Sequence, residues 1–438
     1  MTSVLYRSPV TGYPVATQSS GMFIRDAHDK AWLDMSGGAA VSLVGHSHPH
    51  VLGRMHAQLD SMAFAHTAFF TNEPQEQLAE KLAARFTEKN ARVYFTSGGS
   101  EANEAAIKLT WQYWAARDQA SKKIIISREN SYHGNTLATL SISGNPDRRV
   151  ASAAPLLDWP RVSPCYAYRN QETGETDAAY VAKLAQELED TICKTGADNI
   201  AAFICEPIVG ASLGVVPYVP GYLKAVRALC DKYDILMISD EIMCGSGRTG
   251  KFFAHEDEGV VPDIVTLAKG IAGGYAPLAA TIVRQKIPEA MAHKHFEHGH
   301  TYVGHALSCA AGMAVQEVID AENLLSGTLE KEVMLKNALV EATADCAHIG
   351  NIRGKGFFYG VEFVSDTETK SGFENGAAIA KQLKAEAMKA GLICYPGTAK
   401  IGTESVPHIL FAPPLIAEAN DFSLLAEKLQ TIVKAVFP

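Results

Sequence analysis

The chain carries no Cys-x-x-Cys pair among its eight cysteines, which removes the usual sequence signs of a zinc ribbon or a disulfide framework. It has no apolar run of the ~18 residues that a membrane-spanning helix needs, and the opening stretch MTSVLYRSPVTGYP lacks the apolar core of a secretory signal. A strong excess of charge is missing too. Lys plus Arg is 39 and Asp plus Glu is 48, so the net charge is −9, which favours neither nucleic acid nor an anionic membrane as partner. Internal repeats and low-complexity linkers are likewise absent. These absences point to a soluble, cytoplasmic protein with reduced core cysteines and no metal centre. What is present in abundance is apolar residue, 47% of 438 positions, enough for a large buried core. At roughly 150 residues per domain, the length allows two or three domains.

Short apolar runs alternate with longer stretches of helical periodicity, which predicts an α/β fold with a mostly parallel central sheet. Strands are expected at 92–97, 123–128, 201–207, 235–241, 263–269 and 278–283, and helices at 101–118, 177–194, 220–233 and 304–320. Beyond about residue 325 the pattern changes to a helix at 326–345, the hairpin-like IGNIRGKGFFYGVEFV, a helix at 375–390 and the short run HILFAPP. The expected division is a large α/β domain over 56–325 and a smaller α+β domain built from 1–55 and 326–438.

The segment CGSGRTGKFF, residues 244–253, satisfies both G-x-G-x-x-G and G-x-x-x-x-G-K, two patterns that cradle phosphates. Its context refuses both. A Walker loop needs Ser or Thr after its Lys, where Phe252 stands, and a helix directly afterwards, which Pro262 cuts short. A dinucleotide loop needs an acid about 20 residues on, and Lys269 stands near that place instead. The segment reads as a Gly-rich turn beside a site built by its neighbours.

Those neighbours carry chemistry at the ends of strands, where open α/β sheets place ligands. ILMISD delivers Asp240 to the end of an apolar strand, where an acid is costly to bury without a cation or strong donor. DIVTLAK delivers Lys269 to the end of another, where desolvation lowers an amine's pKa and makes it nucleophilic. In TSGGSEANEAAIK, Gly98, Gly99 and Ser100 open a helix whose free N–H groups form an anion site, and SYHGNT places Tyr132 in a loop beside Gly134. Taken singly, each has an ordinary structural explanation: a capped turn, a solvated strand end, a core tyrosine, a helix start. Together they suit one ligand with a phosphate, a planar ring, a basic ring nitrogen and an aldehyde, which is pyridoxal 5'-phosphate.

With these residues in view, the chain resembles the class III aminotransferases of the fold-type I pyridoxal-phosphate enzymes, the ω-aminotransferase group. The resemblance covers nearly the whole length through MSGGAAVSLVGHSHP, SGGSEANEAAIK, YHGNT, EPIVGA, DEIMCGSGRTGKFFA, TLAKGIAGGYAPLAA, HTYVGHALSCAAG and APPL. It implies that Lys269 carries the cofactor covalently and then shuttles a proton, and that Asp240 pairs with the pyridine nitrogen. It further implies that Tyr132 stacks on one ring face and Ile242 packs on the other, with Gly98, Gly99 and Ser100 at the phosphate. His133 and Glu206 are implied beside the cofactor. Thr301 matches a threonine that reaches the neighbouring subunit's phosphate, which implies a homodimer with shared sites, a tetramer being left open.

Two features of glutamate-using members are missing. Ala211 stands where they carry an acid after EP, and Leu410 where they carry an arginine before FAPPL. Pyruvate-using ω-aminotransferases and the diaminobutyrate aminotransferases of ectoine breakdown also lack that pair. Lys400, Arg148 or Arg149 could bind a substrate carboxylate instead, although for the two arginines a solvated loop is the more ordinary reading. Alanines at 40 and 68, near places where relatives carry a tryptophan and a phenylalanine, suggest a roomy pocket. The expected activity is transfer of an amino group from an ω-amino acid, diamino acid or amine to a keto acid, with pyruvate favoured. The alternatives are a decarboxylating aminotransferase or aminomutase of the same fold, and a non-catalytic pyridoxal-phosphate-binding regulator.

Overall fold

The computed structural model describes residues 3–7, 12–152 and 155–438. Its centre is a seven-stranded sheet in the spatial order Arg92–Thr96, Ala279–Val283, Ile264–Leu267, Leu236–Asp240, Ile200–Cys205, Ile124–Arg128 and Arg161–Val162. Ala279–Val283 runs antiparallel to both neighbours, and the remaining pairings are parallel. The expected mostly parallel α/β sheet is therefore present. IAAFIC and IVTL are buried at every residue, as a parallel sheet covered on both faces requires.

Alternation sends successive side chains of these strands into two separate cores. Phe203, Cys205 and Met237 meet Leu184, Leu188 and Ile192 of the helix Asp177–Thr195 and Leu223 and Val226 of Tyr222–Lys232. Ala202, Ile204, Leu236 and Ile238 meet Ile107, Leu109 and Trp114 of Gly99–Ala116 on the other face. Thr176 caps Asp177–Thr195 by accepting from the Ala179 amide at 3.2 Å, which sets where that helix begins.

A second sheet, antiparallel, orders Ile349–Lys355, Phe358–Phe363, Glu404–Phe411 and Tyr395–Ile401, so the expected hairpin is its edge. A third joins Ala16–Ser20, Phe23–Asp26 and Ala31–Asp34 to the short strand Leu392–Ile393, bringing the two ends of the chain together. The helices Pro49–Ser61 and Glu73–Arg85 and the last helix, Ala419–Val436, lie outside the elements expected from sequence. The first two bury only Val51, and Leu78 with Leu82, so their apolar stripes are too narrow to stand out in the sequence. Among the described residues, no helix is long and apolar enough to cross a membrane.

The GSGRTG segment is a buried staple. Arg248 is fully buried and donates to the carbonyls of Pro413 and, at 3.2 Å, Ser42, so it ties the central region to both chain ends. Gly247 has φ +100°, and a Cβ there would meet Leu325 Cδ2 at 2.5 Å. Its sequence pattern is met by packing, and no phosphate is needed to explain it.

Glu362 is the second staple. Its buried carboxylate accepts from Tyr166, from Arg169 at 2.5 and 2.8 Å, and pairs with Arg353 at 2.7 Å. Arg353 also donates to the carbonyls of Leu213, Gly214 and Val215, fixing the turn beyond Ala211. Burial by itself raises the Glu362 pKa, but the two arginines and the Tyr166 bond carry it below the ordinary value. The stabilisation is thus present above the ordinary glutamate pKa and is lost only as pH falls through the lowered one. Glu362→Gln should cost about 3 kcal/mol, because it leaves two buried guanidinium groups without an anion. A urea midpoint unchanged from the parent protein would count against this account.

Candidate active site

Five strand ends converge on one cavity of about 450 Å³, lined among others by Gly98, Ser100, Tyr132, Glu206, Asp240 and Lys269. Asp240 closes Leu236–Asp240, Lys269 lies two residues beyond Ile264–Leu267, and Glu206 directly follows Ile200–Cys205. Tyr132 and His133 follow Ile124–Arg128, and Gly98 follows Arg92–Thr96. A parallel sheet delivers all these loops to its carboxyl edge, which is why residues far apart in sequence meet here.

Asp240 is 2% exposed and hydrogen-bonded through both carboxylate oxygens. One oxygen accepts from Asn103 Nδ2 and His133 Nδ1, both at 2.8 Å, and the other from the Ile242 amide at 3.1 Å. Asn103 also donates to the His133 carbonyl at 2.7 Å and accepts from Thr266 Oγ1 at 2.9 Å. The helix Gly99–Ala116 is thereby clamped to two strands. His133 Nε2 is buried and has no partner among the described residues.

Lys269 has φ +48°, a left-handed conformation that a non-glycine residue holds only when its surroundings impose it. Burial lowers its pKa, with Asp240 and Glu206 opposing. Glu206 braces the opposite wall, accepting from the amides of Tyr132 at 2.9 Å and Gly210 at 3.0 Å. Burial pushes its pKa up, against the opposing influence of His133.

The helix start is a tight cradle. A Cβ on Gly99 would meet Ile242 Cδ1 at 2.9 Å, so Gly99 and Ile242 pack backbone against side chain. Ser100 Oγ donates to Asn135 Oδ1 at 3.0 Å and accepts from the Asn135 amide at 3.1 Å. Gly134 has φ +143°, and a Cβ there would collide with Thr139 Oγ1 and come within 2.7 Å of Ser100 Oγ. Only glycine fits.

Of the residues singled out from sequence, Gly98, Gly99, Ser100, Tyr132, His133, Glu206, Asp240, Ile242 and Lys269 all line this cavity. Thr301 does not. It is exposed, one residue from Tyr302. Ala211 lines the cavity, whereas Leu410 is fully buried in an apolar cluster with Ala40, Ile208 and Cys244. Neither Ala40 nor Ala68 lines this chain's cavity. Ala40 is sealed in that cluster, Val41 forms the wall, and Ala68 is exposed. Lys400 also lies outside the lining.

The reading of Arg148 and Arg149 as a solvated loop pair is corrected. They lie in the short helix Pro146–Ser152. Arg149 donates to three backbone carbonyls, and Arg148 stands over the Tyr132 ring with its guanidinium carbon 4.3 Å from the centroid. Sequence reasoning missed Asn103, although SEANEAAIK contains it, because one asparagine on a helix carries no periodic signal. It also missed Tyr275, whose hydroxyl accepts from the His48 amide at 2.6 Å and donates to the Gly45 carbonyl at 2.9 Å, pinning the N-terminal segment to the cavity.

The family model described as aminotransferase class-III matches residues 7–433. An uncharacterized aminotransferase of Schizosaccharomyces pombe is 37% identical over 437 residues, covering 99% of this chain and 95% of the relative. An ω-aminotransferase structure from Paracoccus denitrificans superposes with a TM-score of 0.92 at 33% identity, over 100% of this chain and 97% of that one. The ω-transaminase of Pseudomonas jessenii, solved in complex with PMP, gives 0.90 at 30% identity over 97% and 93% of the two chains. Matched over nearly its full length, and sharing the fold of those structures, the chain belongs to the class III aminotransferases, the ω-transaminase-like enzymes of pyridoxal-phosphate fold type I.

Proposed function

We propose that the chain holds pyridoxal 5'-phosphate and moves an amino group from an ω-amino acid, diamino acid or amine to a keto acid, with pyruvate as the acceptor. The observation that carries the acceptor choice is the cavity's charge. Among the described residues its lining contains no arginine and no lysine other than Lys269, and position 410 is sealed in apolar packing. A dicarboxylic acceptor would leave its distal carboxylate unpaired, at a cost of several kcal/mol.

The residues fit the cofactor. His133 Nε2 is an orphaned buried polar atom, the Gly99 and Gly134 positions would be filled by any Cβ, and the lysine and carboxylate sit at neighbouring strand ends. When bound, the cofactor supplies an aldehyde that captures an amine and a ring that draws electrons from the bond being broken. Gly98, Gly99 and Ser100 would hold its phosphate through free amides at the helix start. Asp240, oriented by Asn103, His133 and the Ile242 amide, would hold the ring nitrogen's proton. Tyr132 and Ile242 would face the two sides of the ring, and Glu206 holds the Tyr132 loop in place.

Lys269 is both attachment point and proton carrier in this reading. Its lowered pKa enlarges the fraction of neutral Nζ at a given pH, which is the form that adds to a carbonyl or takes a proton from the substrate's α-carbon. Asn103 and His133 act as positioning residues, because they touch Asp240 and not the substrate.

The functional unit in this proposal is a homodimer. Phe64, Phe69, Phe70 and Tyr302 are 42%, 79%, 65% and 55% exposed, large apolar side chains that a partner subunit would cover. Phe64 packs 6.0 Å from Tyr302, next to the exposed Thr301, so a partner on these side chains would bring Thr301 towards a second cavity.

Comparing acceptors tests the reading directly. Pyruvate should exceed 2-oxoglutarate in kcat/KM by about 10²-fold, the ratio that a few kcal/mol sets. Equal rates would show that a distal cation had been overlooked. Borohydride reduction of the coloured holoenzyme should fix the cofactor to Lys269 alone. A label mapped to any other lysine would remove Lys269 from its assigned role. Finally, mixing Lys269→Ala with Thr301→Ala subunits should yield heterodimers with one doubly lesioned site and one intact site. Their activity at limiting cofactor should exceed that of either parent, and an active monomer in sedimentation would end the shared-site reading.

A further inference from the structure

The adjacent arginines at 148 and 149 have opposite surroundings. Arg149 directs Nη1 to the carbonyls of Leu140, Ser141 and Ser143 at 3.0, 2.6 and 3.2 Å, closing the end of the helix Leu137–Ile142. Arg148 is half-buried over the Tyr132 ring, and among the described residues no carboxylate or carbonyl accepts from its guanidinium. A guanidinium held over an aromatic ring is orientationally restrained while its in-plane N–H donors stay free for a second, planar partner.

Its position is also defined from the other side. The Arg148 amide donates to Asn145 Oδ1 at 3.2 Å, and Asn145 Nδ2 reaches Ser212 Oγ at 3.5 Å, beside the cavity residue Ala211. Tyr132 and Gly210 both donate to Glu206, so the ring under Arg148 and the Ala211 turn belong to one wall. The Arg148 charge is felt at Lys269, where it opposes protonation of the amine. A keto acid entering this cavity needs a cation for its carboxylate. Lys269 is taken by the chemistry, and position 410 offers none.

We propose that Arg148 anchors the substrate carboxylate, taking the planar carboxylate of the keto acid, and of amino-acid donors, in a bidentate pair at the rim above Tyr132. The inference rests on the aminotransferase reading of the same cavity. One guanidinium matches one carboxylate, which makes monocarboxylic keto acids the acceptor class. Amines without a carboxylate become donors that do not use Arg148 at all.

The test compares Arg148→Gln and Arg148→Lys holoenzymes with the parent. Arg148→Gln should raise KM for pyruvate about 30-fold while kcat stays within about threefold, the pattern of a lost ground-state contact. Arg148→Lys should recover part of the loss, since it keeps the charge but not the fork. The half-reaction with 1-phenylethylamine, which has no carboxylate and is read from the cofactor's absorbance, should change by less than about threefold. Calorimetric titration with propionate, a carboxylate without a reacting carbonyl, should show binding weakened about tenfold or more by Arg148→Gln. Unchanged pyruvate KM, equal losses in the pyruvate and amine reactions, or failure of the parent holoenzyme to bind propionate would each overturn the assignment. If the parent protein transferred no amino group, the functional reading would fall, while the propionate titration would still decide whether Arg148 holds a carboxylate.

Discussion

The carboxylate of Asp240 is the interaction on which the rest of the site depends. A buried anion at the end of an apolar strand is tolerated only when donors surround it, and here three come from three different elements. Asn103 brings the helix that opens at Gly99, His133 brings the Tyr132 loop, and the Ile242 amide brings the turn that follows the strand. Satisfying one buried charge therefore orients the anion cradle, the aromatic wall and the apolar wall together. Asn103 has the widest reach, because its carbonyl oxygen also accepts from Thr266 on the strand that leads to Lys269.

The cavity is completed by parts of the chain that lie far from the central sheet. Val41 and the Tyr275 bonds to Gly45 and His48 bring the N-terminal segment to its edge. Arg248 ties the central region to Ser42 and Pro413, and Glu362 with Arg353 holds the turn beyond Ala211. These are buried charges bonded mostly to carbonyls or to one another. Their geometry is exacting, since a displaced guanidinium would lose several bonds at once. Such staples let short loops from distant elements share a wall without a continuous core between them.

Much of this was legible in the sequence, for one physical reason. An ionisable residue at the end of an apolar run is costly unless it has a function or a partner, so Asp240 and Lys269 stood out against their strands. Glycines at Gly99 and Gly134 stood out for a related reason, because close backbone approach tolerates no Cβ. Asn103 had no comparable signal, as a polar residue on a helix reads as solvent-facing until a strand is packed on it. Arg148 and Arg149 illustrate the limit most clearly. They are identical neighbours, and only the helix phase and the surrounding loops separate a carbonyl clamp from a cation that stacks on Tyr132.

The sequence by itself determined the α/β architecture, the order of its central strands along the chain, the strand-end acid and lysine, and the family to which they belong. Those features are written in local hydropathy and in residues whose type admits few alternatives. The tertiary structure alone decided which polar groups satisfy Asp240, that Leu410 is buried in one apolar cluster with Ala40 and Ile208, that Ala68 is exposed, and that Arg148 stands above Tyr132 with no acceptor among the described residues. Those outcomes depend on contacts between residues distant in the chain. Hydropathy along a strand says that a side chain is buried, but it does not say against what.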